Sequence, residues 1–210
     1  MLRKRLLAAR AALTVTQRQQ AAAKIMQHLE EGWQDSPAGK LLIRLQGDLK
    51  PVDDDQPVLP ARRKPIIAAF WPIRDEPNLL PLLQRWAHDK YLVALPCTAV
   101  PAAPLVFKPW TPDARMRKGA FGIPEPDTST VCIPDVILVP TLGYTDAAER
   151  LGYGGGYYDR TLAALQHDGR EHVAIGIAYS VGRMTPHEHT AADHDITLDA
   201  VVTDAGWVVP

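Results

Sequence analysis

Apolar positions recur at helical spacing over the first thirty residues. Leu2, Leu6, Leu7 and Leu13, separated largely by alanines, predict one helix, and Thr14 with Gln17 carries the capping-box spacing for a second that runs to about Glu31. The chain thus opens as a helical hairpin or kinked helix. Residues 34 to 64 break the pattern with Gly39, Gly47, Pro51, Pro57, Pro60 and the run Asp53-Asp54-Asp55, which predicts mostly loop with a short strand at "KLLIRL". From Ile66 the periods alternate. "IIAAFW", "YLVALP", "LVFKPW", "DVILVP", "HVAIGIAY" and "DAVVTD" are short apolar runs of strand length, while "NLLPLLQRWAHD" and "YYDRTLAALQH" carry helical spacing. Strands alternating with helices imply an α/β fold, an open and mostly parallel sheet flanked by helices, with the helical hairpin in front of it. We read the chain as one domain over residues 1–210, and ligands of such sheets gather at the carboxyl ends of the strands.

Composition narrows the field. At 210 residues and 46% hydrophobic content the chain can bury a substantial core. Lysine and arginine total 23 against 24 acids, a net charge of -1, so the electrostatic footprint of a nucleic-acid binder is missing. The basic clusters Arg3-Lys4-Arg5 and Arg62-Arg63-Lys64 read as solvated surface in the absence of a motif. Two cysteines, Cys97 and Cys132, lie in apolar stretches and fit a reducing cytosol better than a disulfide framework. No apolar run approaches the ~20 residues that cross a bilayer. Arg10 interrupts the opening leucines and alanines before they could form a signal-peptide core; a mitochondrial presequence would share this acid-free opening, and that alternative stays open.

Three stretches carry candidate chemistry. "RLGYGGGYYDR", residues 150 to 160, puts four glycines within five positions, between a buried strand and a helix. Such bare backbone suits a position with φ > 0 or the close approach of a ligand, and a strand–loop–helix setting suits an anion. It matches neither the dinucleotide fingerprint, which would need glycine where Tyr157 stands, nor the Gly-Lys-Ser/Thr phosphate loop. A structural turn and an anion cradle both remain open. Asp159, in the first turn of the following helix, can complement the helix dipole or hold a Mg²⁺ ion that offsets its repulsion of a polyphosphate.

"PHEHTAADHD" gathers His187, Glu188, His189, Asp193, His194 and Asp195. A zinc site, a polar surface loop and magnesium ligation through Asp195 are its three readings, although the spacing forms no known zinc pattern. In "FWPIRDEPN", Asp75 and Glu76 could cap the next helix, or Trp71 and Glu76 could offer an apolar plane and an acceptor to a heteroaromatic ligand.

Taken together, these stretches resemble the 5-formyltetrahydrofolate cyclo-ligase family, also called 5,10-methenyltetrahydrofolate synthetases. The resemblance rests on Leu2-Arg3 with Arg10 and "ALT", on "WPIRDE", on "GAFGIPEP" at 119 to 126, on "LVPTLGYTDAAERLGYGGGYYDR" at 138 to 160, and on Asp195 and Asp199. It implies the α/β fold already read from periodicity. It also implies a cytoplasmic enzyme, expected to be monomeric, that works on 5-formyltetrahydrofolate and ATP with Mg²⁺ and has no nucleic-acid or membrane partner.

By the resemblance, ATP is held by Arg3 and by Arg150, Leu151, Gly152, Tyr153, Gly154, Gly155, Gly156, Tyr157 and Tyr158. The folate would meet Trp71, Glu76 and the stretch Tyr153, Gly154, Gly155, Gly156 and Tyr157, and magnesium would meet Asp159 and Asp195. No protein nucleophile is implied, and no catalytic residue is assigned. Two departures stand out. The family's lysine four residues before the arginine matched by Arg3 would fall before Met1, leaving Lys4 or Arg5 as substitutes unless the chain starts late, and many members carry a basic residue where Gly155 stands. The rival readings are a folate-binding protein without turnover and an ATP-dependent enzyme acting on another formyl or amide compound.

Overall fold

The computed structural model describes residues 1–47, 64–185, 187–189, 192 and 195–210. Its helices and strands, in chain order, are α1 (Leu2–Ala11), α2 (Val15–Gly32), α3 (Pro37–Gly47), β1 (Ile66–Ala68), α4 (Leu80–Asp89), β2 (Leu92–Cys97), β3 (Val106–Trp110), β4 (Met116–Lys118), β5 (Pro124–Pro126), β6 (Val136–Pro140), β7 (Gly143–Tyr144), β8 (Arg150–Leu151), α5 (Tyr157–His167), β9 (Val173–Ile177), β10 (Ala200–Thr203) and β11 (Gly206–Val208).

Seven strands form one sheet in the order β11-β10-β9-β6-β1-β2-β3. The five inner strands from β10 to β2 are parallel, and antiparallel β3 and β11 close the two edges. The expected mostly parallel sheet is therefore present. Both its faces are covered, which explains why the inner strands are continuous apolar runs. Alternate residues serve opposite layers. Ile67, Val136, Leu138 and Ile175 pack with Ile25 and Leu29 of α2, Leu41 and Leu42 of α3 and Leu82 of α4, whereas Ala68, Ile137, Val139 and Ala174 pack with Leu162 of α5.

The start of α2 follows its sequence signal. Thr14 Oγ1 accepts from the Gln17 amide, and the Gln17 side chain accepts from the Thr14 amide. In α4, Pro81 sits in the first turn, where its missing N–H would have had no helical partner.

The segment after α2 departs from expectation. "KLLIRL" belongs to helix α3, and the expected loop between residues 34 and 47 is mostly helical. Ser36 caps this helix, accepting from the Gly39 amide at 3.1 Å, and Pro37 follows at the first helical position. Ala38, Leu41 and Leu42 then bury one face against the sheet, and that packing outweighs the helix-weakening glycines. The rest of the expected loop, residues 48 to 63, lies outside the described residues. Three short elements were not expected: the β4–β5 hairpin, the β7–β8 ribbon and β11, which follows the strand expected to be last. Among the described residues no helix is long and apolar enough to cross a membrane.

A cleft at the reversal of strand order

Chain order reverses beside β1: β2 lies on one side of it, and β6, β9 and β10 follow on the other. The connections leave the carboxyl ends of β1 and β6 in opposite directions there, which opens a crevice. A cleft of about 600 Å³ lies at this edge, floored by Phe70 and Trp71 beyond β1, Pro96 and Thr98 at the end of β2, and Pro140 of β6. The glycine loop and the start of α5 form one wall, Phe121 and Ile123 from the β4–β5 hairpin another, and Arg3 from α1 reaches in. Every site residue expected from the sequence lines this one cleft: Arg3, Trp71, Glu76, the stretch Arg150 to Tyr158, Asp159 and Asp195. Lys4 and Arg5 do not line it, and Arg5 instead pairs with Glu188 at 2.6 Å.

The glycine loop emerges from β8, which pairs with β7. Gly154 has φ +94 and Gly156 φ +65, a left-handed backbone that side chains disfavour. Gly156 caps α5 without a side-chain hydrogen bond, leaving the first-turn amides to other acceptors. Three arginines brace the loop. Arg3 Nε donates to the Gly152 carbonyl at 2.9 Å, Arg160 Nη2 donates to the Gly155 carbonyl at 2.8 Å, and Arg150 Nη2 donates to Asp159 Oδ1 at 2.6 Å. A helix N-terminus flanked by guanidinium groups is a site suited to an anion.

Other side chains of the same cleft have a different chemistry. Glu76 is buried, and its Oε2 accepts from the Ile73 amide at 2.9 Å. Burial lifts its carboxyl above the ordinary glutamate range, while the Ile73 amide, the Tyr153 hydroxyl, Arg10 and Arg74 pull it partway back. The Tyr153 phenol is itself held above its usual range by desolvation and by Glu76. The aromatic planes of Trp71 and Tyr157 line the same cleft, with Phe121 edge-on to Tyr157 at 6.0 Å. Flat apolar walls around the buried Glu76 acceptor suit a planar heterocycle bearing N–H groups.

Asp159 and Asp195 bring carboxylate oxygens to the same cleft. Asp159 shares one oxygen with Arg150, and Asp195 Oδ2 accepts from the Ala192 amide at 2.8 Å. Among the described residues no group of three His, Cys, Asp or Glu side chains could enclose a metal, and Asp193 and His194 of the histidine-rich stretch fall outside them. Two carboxylates facing a shared space fit a hard cation that takes its other ligands from water and phosphate, which is the habit of Mg²⁺.

Sequence reasoning passed over Arg10, Arg74, Phe121 and Glu125 as site residues. Phe121 is 77% exposed with φ +56, an unusual place for an aromatic ring, and the flanking Gly119 and Gly122 were the only local signal of a tight turn. Glu125 is buried and accepts from the Thr98 amide at 3.0 Å, tying the hairpin to the end of β2, and nothing in its neighbours along the chain points to that contact.

The chain is similar in sequence and fold to known proteins. Residues 60–204 match the 5-formyltetrahydrofolate cyclo-ligase family. A 5-formyltetrahydrofolate cyclo-ligase from Mycolicibacterium smegmatis is 30% identical over 156 residues, which is 68% of this chain and 75% of that protein. One from Escherichia coli K12 is 29% identical over 65% of this chain and 76% of its own length. The match to the Haemophilus influenzae protein of the same name, at 34% identity, spans about half of that protein, 48%. The solution structure of Aquifex aeolicus 5,10-methenyltetrahydrofolate synthetase superposes with a TM-score of 0.72 at 25% identity, covering 99% of this chain and 90% of that one.

Proposed function

The chain belongs to the 5-formyltetrahydrofolate cyclo-ligase family, and from that premise we propose that it uses ATP to convert 5-formyltetrahydrofolate into 5,10-methenyltetrahydrofolate, releasing ADP and phosphate. The observation that carries this reading is that one cleft gathers the glycine loop and its arginines with aromatic planes and the buried Glu76 acceptor. Among the described residues, Arg150 Nε and His189 Nε2 are buried polar atoms without a hydrogen-bond partner, and both residues line the cleft. Unpaired buried polar atoms at one site are what a polar ligand would satisfy.

The chemistry explains why the two ligands must adjoin. A formamide carbonyl is deactivated by resonance with its nitrogen, so ring closure with loss of water is slow. The formyl oxygen attacks the γ-phosphorus, ADP leaves, and the oxygen becomes part of a phosphate ester. Nitrogen 10 then attacks the formyl carbon and gives up its proton, and the C–O bond breaks to release phosphate. Every step is intramolecular or between ligands held side by side, so the protein's work is positioning and charge stabilisation. Trp71, Tyr153 and Tyr157 hold the planar ring, and Glu76 accepts from its N–H groups. The first-turn amides of α5 and the guanidinium groups of Arg3 and Arg150 meet the phosphates. Mg²⁺, held through Asp159 and Asp195, would supply charge neutralisation along the polyphosphate.

Purified protein mixed with 5-formyltetrahydrofolate and Mg-ATP should accumulate methenyl product, followed optically, with ADP released in equal amount. Tight folate binding without ATP consumption would defeat the proposal. Glu76→Gln should raise the KM for the folate by ~10–100-fold, the worth of a hydrogen bond to a charged group, and leave the KM for ATP nearly unchanged. Because the carboxyl sits above its ordinary range, the ionised acceptor is lost as pH falls through that raised value. The wild-type kcat/KM for folate should therefore decline on the acid side, and Glu76→Gln should lack that limb. A defect confined to ATP would contradict the role given to Glu76.

A further inference from the structure

Arg10 lies on the last turn of α1 and is only 3% exposed. Its Nη1 is 2.6 Å from the Tyr153 hydroxyl oxygen, its Nη2 is 2.7 Å from the Thr141 carbonyl, and its guanidinium sits 5.8 and 5.9 Å from the ring centres of Tyr153 and Tyr179. A helix at the front of the chain is thereby tied to the end of β6, and through Tyr153 to the glycine loop.

The polarity of these bonds is fixed. A guanidinium only donates, so Tyr153 oxygen accepts from Arg10 and keeps its single hydrogen for another partner. The acceptor that this hydroxyl meets in the cleft is Glu76, whose carboxylate interacts with the Tyr153 side chain. The Ile73 amide donates to Glu76 from the other side. With Arg10 donating to Tyr153, the series Arg10, Tyr153, Glu76 is polarised toward the carboxylate. With Arg10 absent, the phenol could turn and accept from a protonated Glu76.

We infer that Arg10 is a positioning residue for substrate recognition, which acts through Tyr153 to hold Glu76 as an ionised, outward-facing acceptor. The inference rests on the reading of Glu76 as the group that meets the folate ring. The charged and titratable groups facing Glu76 are Arg10 from α1, Arg74 from its own loop, Tyr153 from the glycine loop and Tyr158 from α5. The two tyrosines stay neutral, because burial keeps both phenols above their usual range. Arg10 and Arg74 are therefore the positive charges opposing the desolvation of Glu76, and Arg10 alone also sets the direction of a hydrogen bond to it.

The test follows Glu76 directly in ligand-free protein, by carbon-13 NMR of glutamate carboxyl groups, its signal identified by its absence in Glu76→Gln. In Arg10→Gln the midpoint of Glu76 should rise by about one pH unit, and in Tyr153→Phe by a similar amount. Arg10→Lys keeps the charge without the fork and should recover part of the shift. At neutral pH the folate KM, or its Kd, should rise ~10-fold in Arg10→Gln while the KM for ATP stays within about twofold. If Arg10→Gln fails to fold, Tyr153→Phe decides, since it breaks the series with Arg10 in place. A midpoint unmoved in folded variants would overturn the inference, as would a moved midpoint with unchanged folate affinity. A wild-type protein that binds the folate without turning it over would sink the cyclo-ligase reading and leave this one standing on the midpoint and on affinity.

Discussion

Asp159→Asn is expected to lower turnover ~10²–10³-fold, to raise the Mg²⁺ concentration needed for half-maximal rate, and to destabilise the fold. The structural part follows from the pair it makes with Arg150, whose side chains are 6% and 16% exposed for arginine and aspartate at 2.6 Å. Removing one partner of such a pair leaves a charge with poor access to water, and broken buried pairs cost about 3–5 kcal/mol. Asparagine keeps one acceptor oxygen for Arg150, which places the loss at about 3 kcal/mol, measurable by urea denaturation. The catalytic part follows from the loss of one of the two carboxylates proposed to hold the metal. Initial rates over a magnesium titration separate the two. A destabilised variant with wild-type magnesium dependence would mean that Asp159 serves only Arg150 and the dipole of α5, and that the metal is held elsewhere.

The second large effect is expected at Gly154→Ala, where kcat/KM for ATP should fall ~10²-fold while the folate KM holds. At φ +94 a side chain strains the backbone by about 1–3 kcal/mol, and the added Cβ would stand 3.3 Å from the Arg3 guanidinium carbon. Because this glycine is exposed, the loop can relieve the strain by moving, so the melting temperature should change little. What the movement spoils is the placement of backbone and Arg3 around a phosphate. Gly155→Ala is the control: no left-handed φ is required there, and the new Cβ would press only on the Tyr157 ring at 3.1 Å. Wild-type ATP kinetics in folded Gly154→Ala would remove the glycine loop from the phosphate-binding role.

Much of this architecture was legible before any coordinates. Helices α1, α2, α4 and α5 and the principal strands lie where apolar period and capping residues placed them, because each buries one stripe or one run that local sequence defines. The glycine loop was recognisable for the same reason: four glycines between a buried strand and a helix leave few backbone conformations unexplained. Helix α3 was misread because "KLLIRL" is too short to distinguish the two periods, and Gly39 and Gly47 on either side of it pointed to loop. Only the sheet surface that receives Leu41 and Leu42 resolves it.

Sequence alone determined the layers, the family resemblance and the set of residues worth watching, since these depend on side-chain type and on spacing within a dozen positions. Tertiary structure decided which of them meet. Strand order brings Trp71 and Pro140 to one edge, although they are far apart in the chain, and folding carries Arg10 to Tyr153 and sets the Arg150–Asp159 pair at the rim of the cleft. Trp71 and Pro140, like Arg10 and Tyr153, come together across long stretches of chain, whereas Arg150 and Asp159 are near in sequence and owe to the fold the burial that strengthens their pair, which exists only once the sheet and its helices have excluded water.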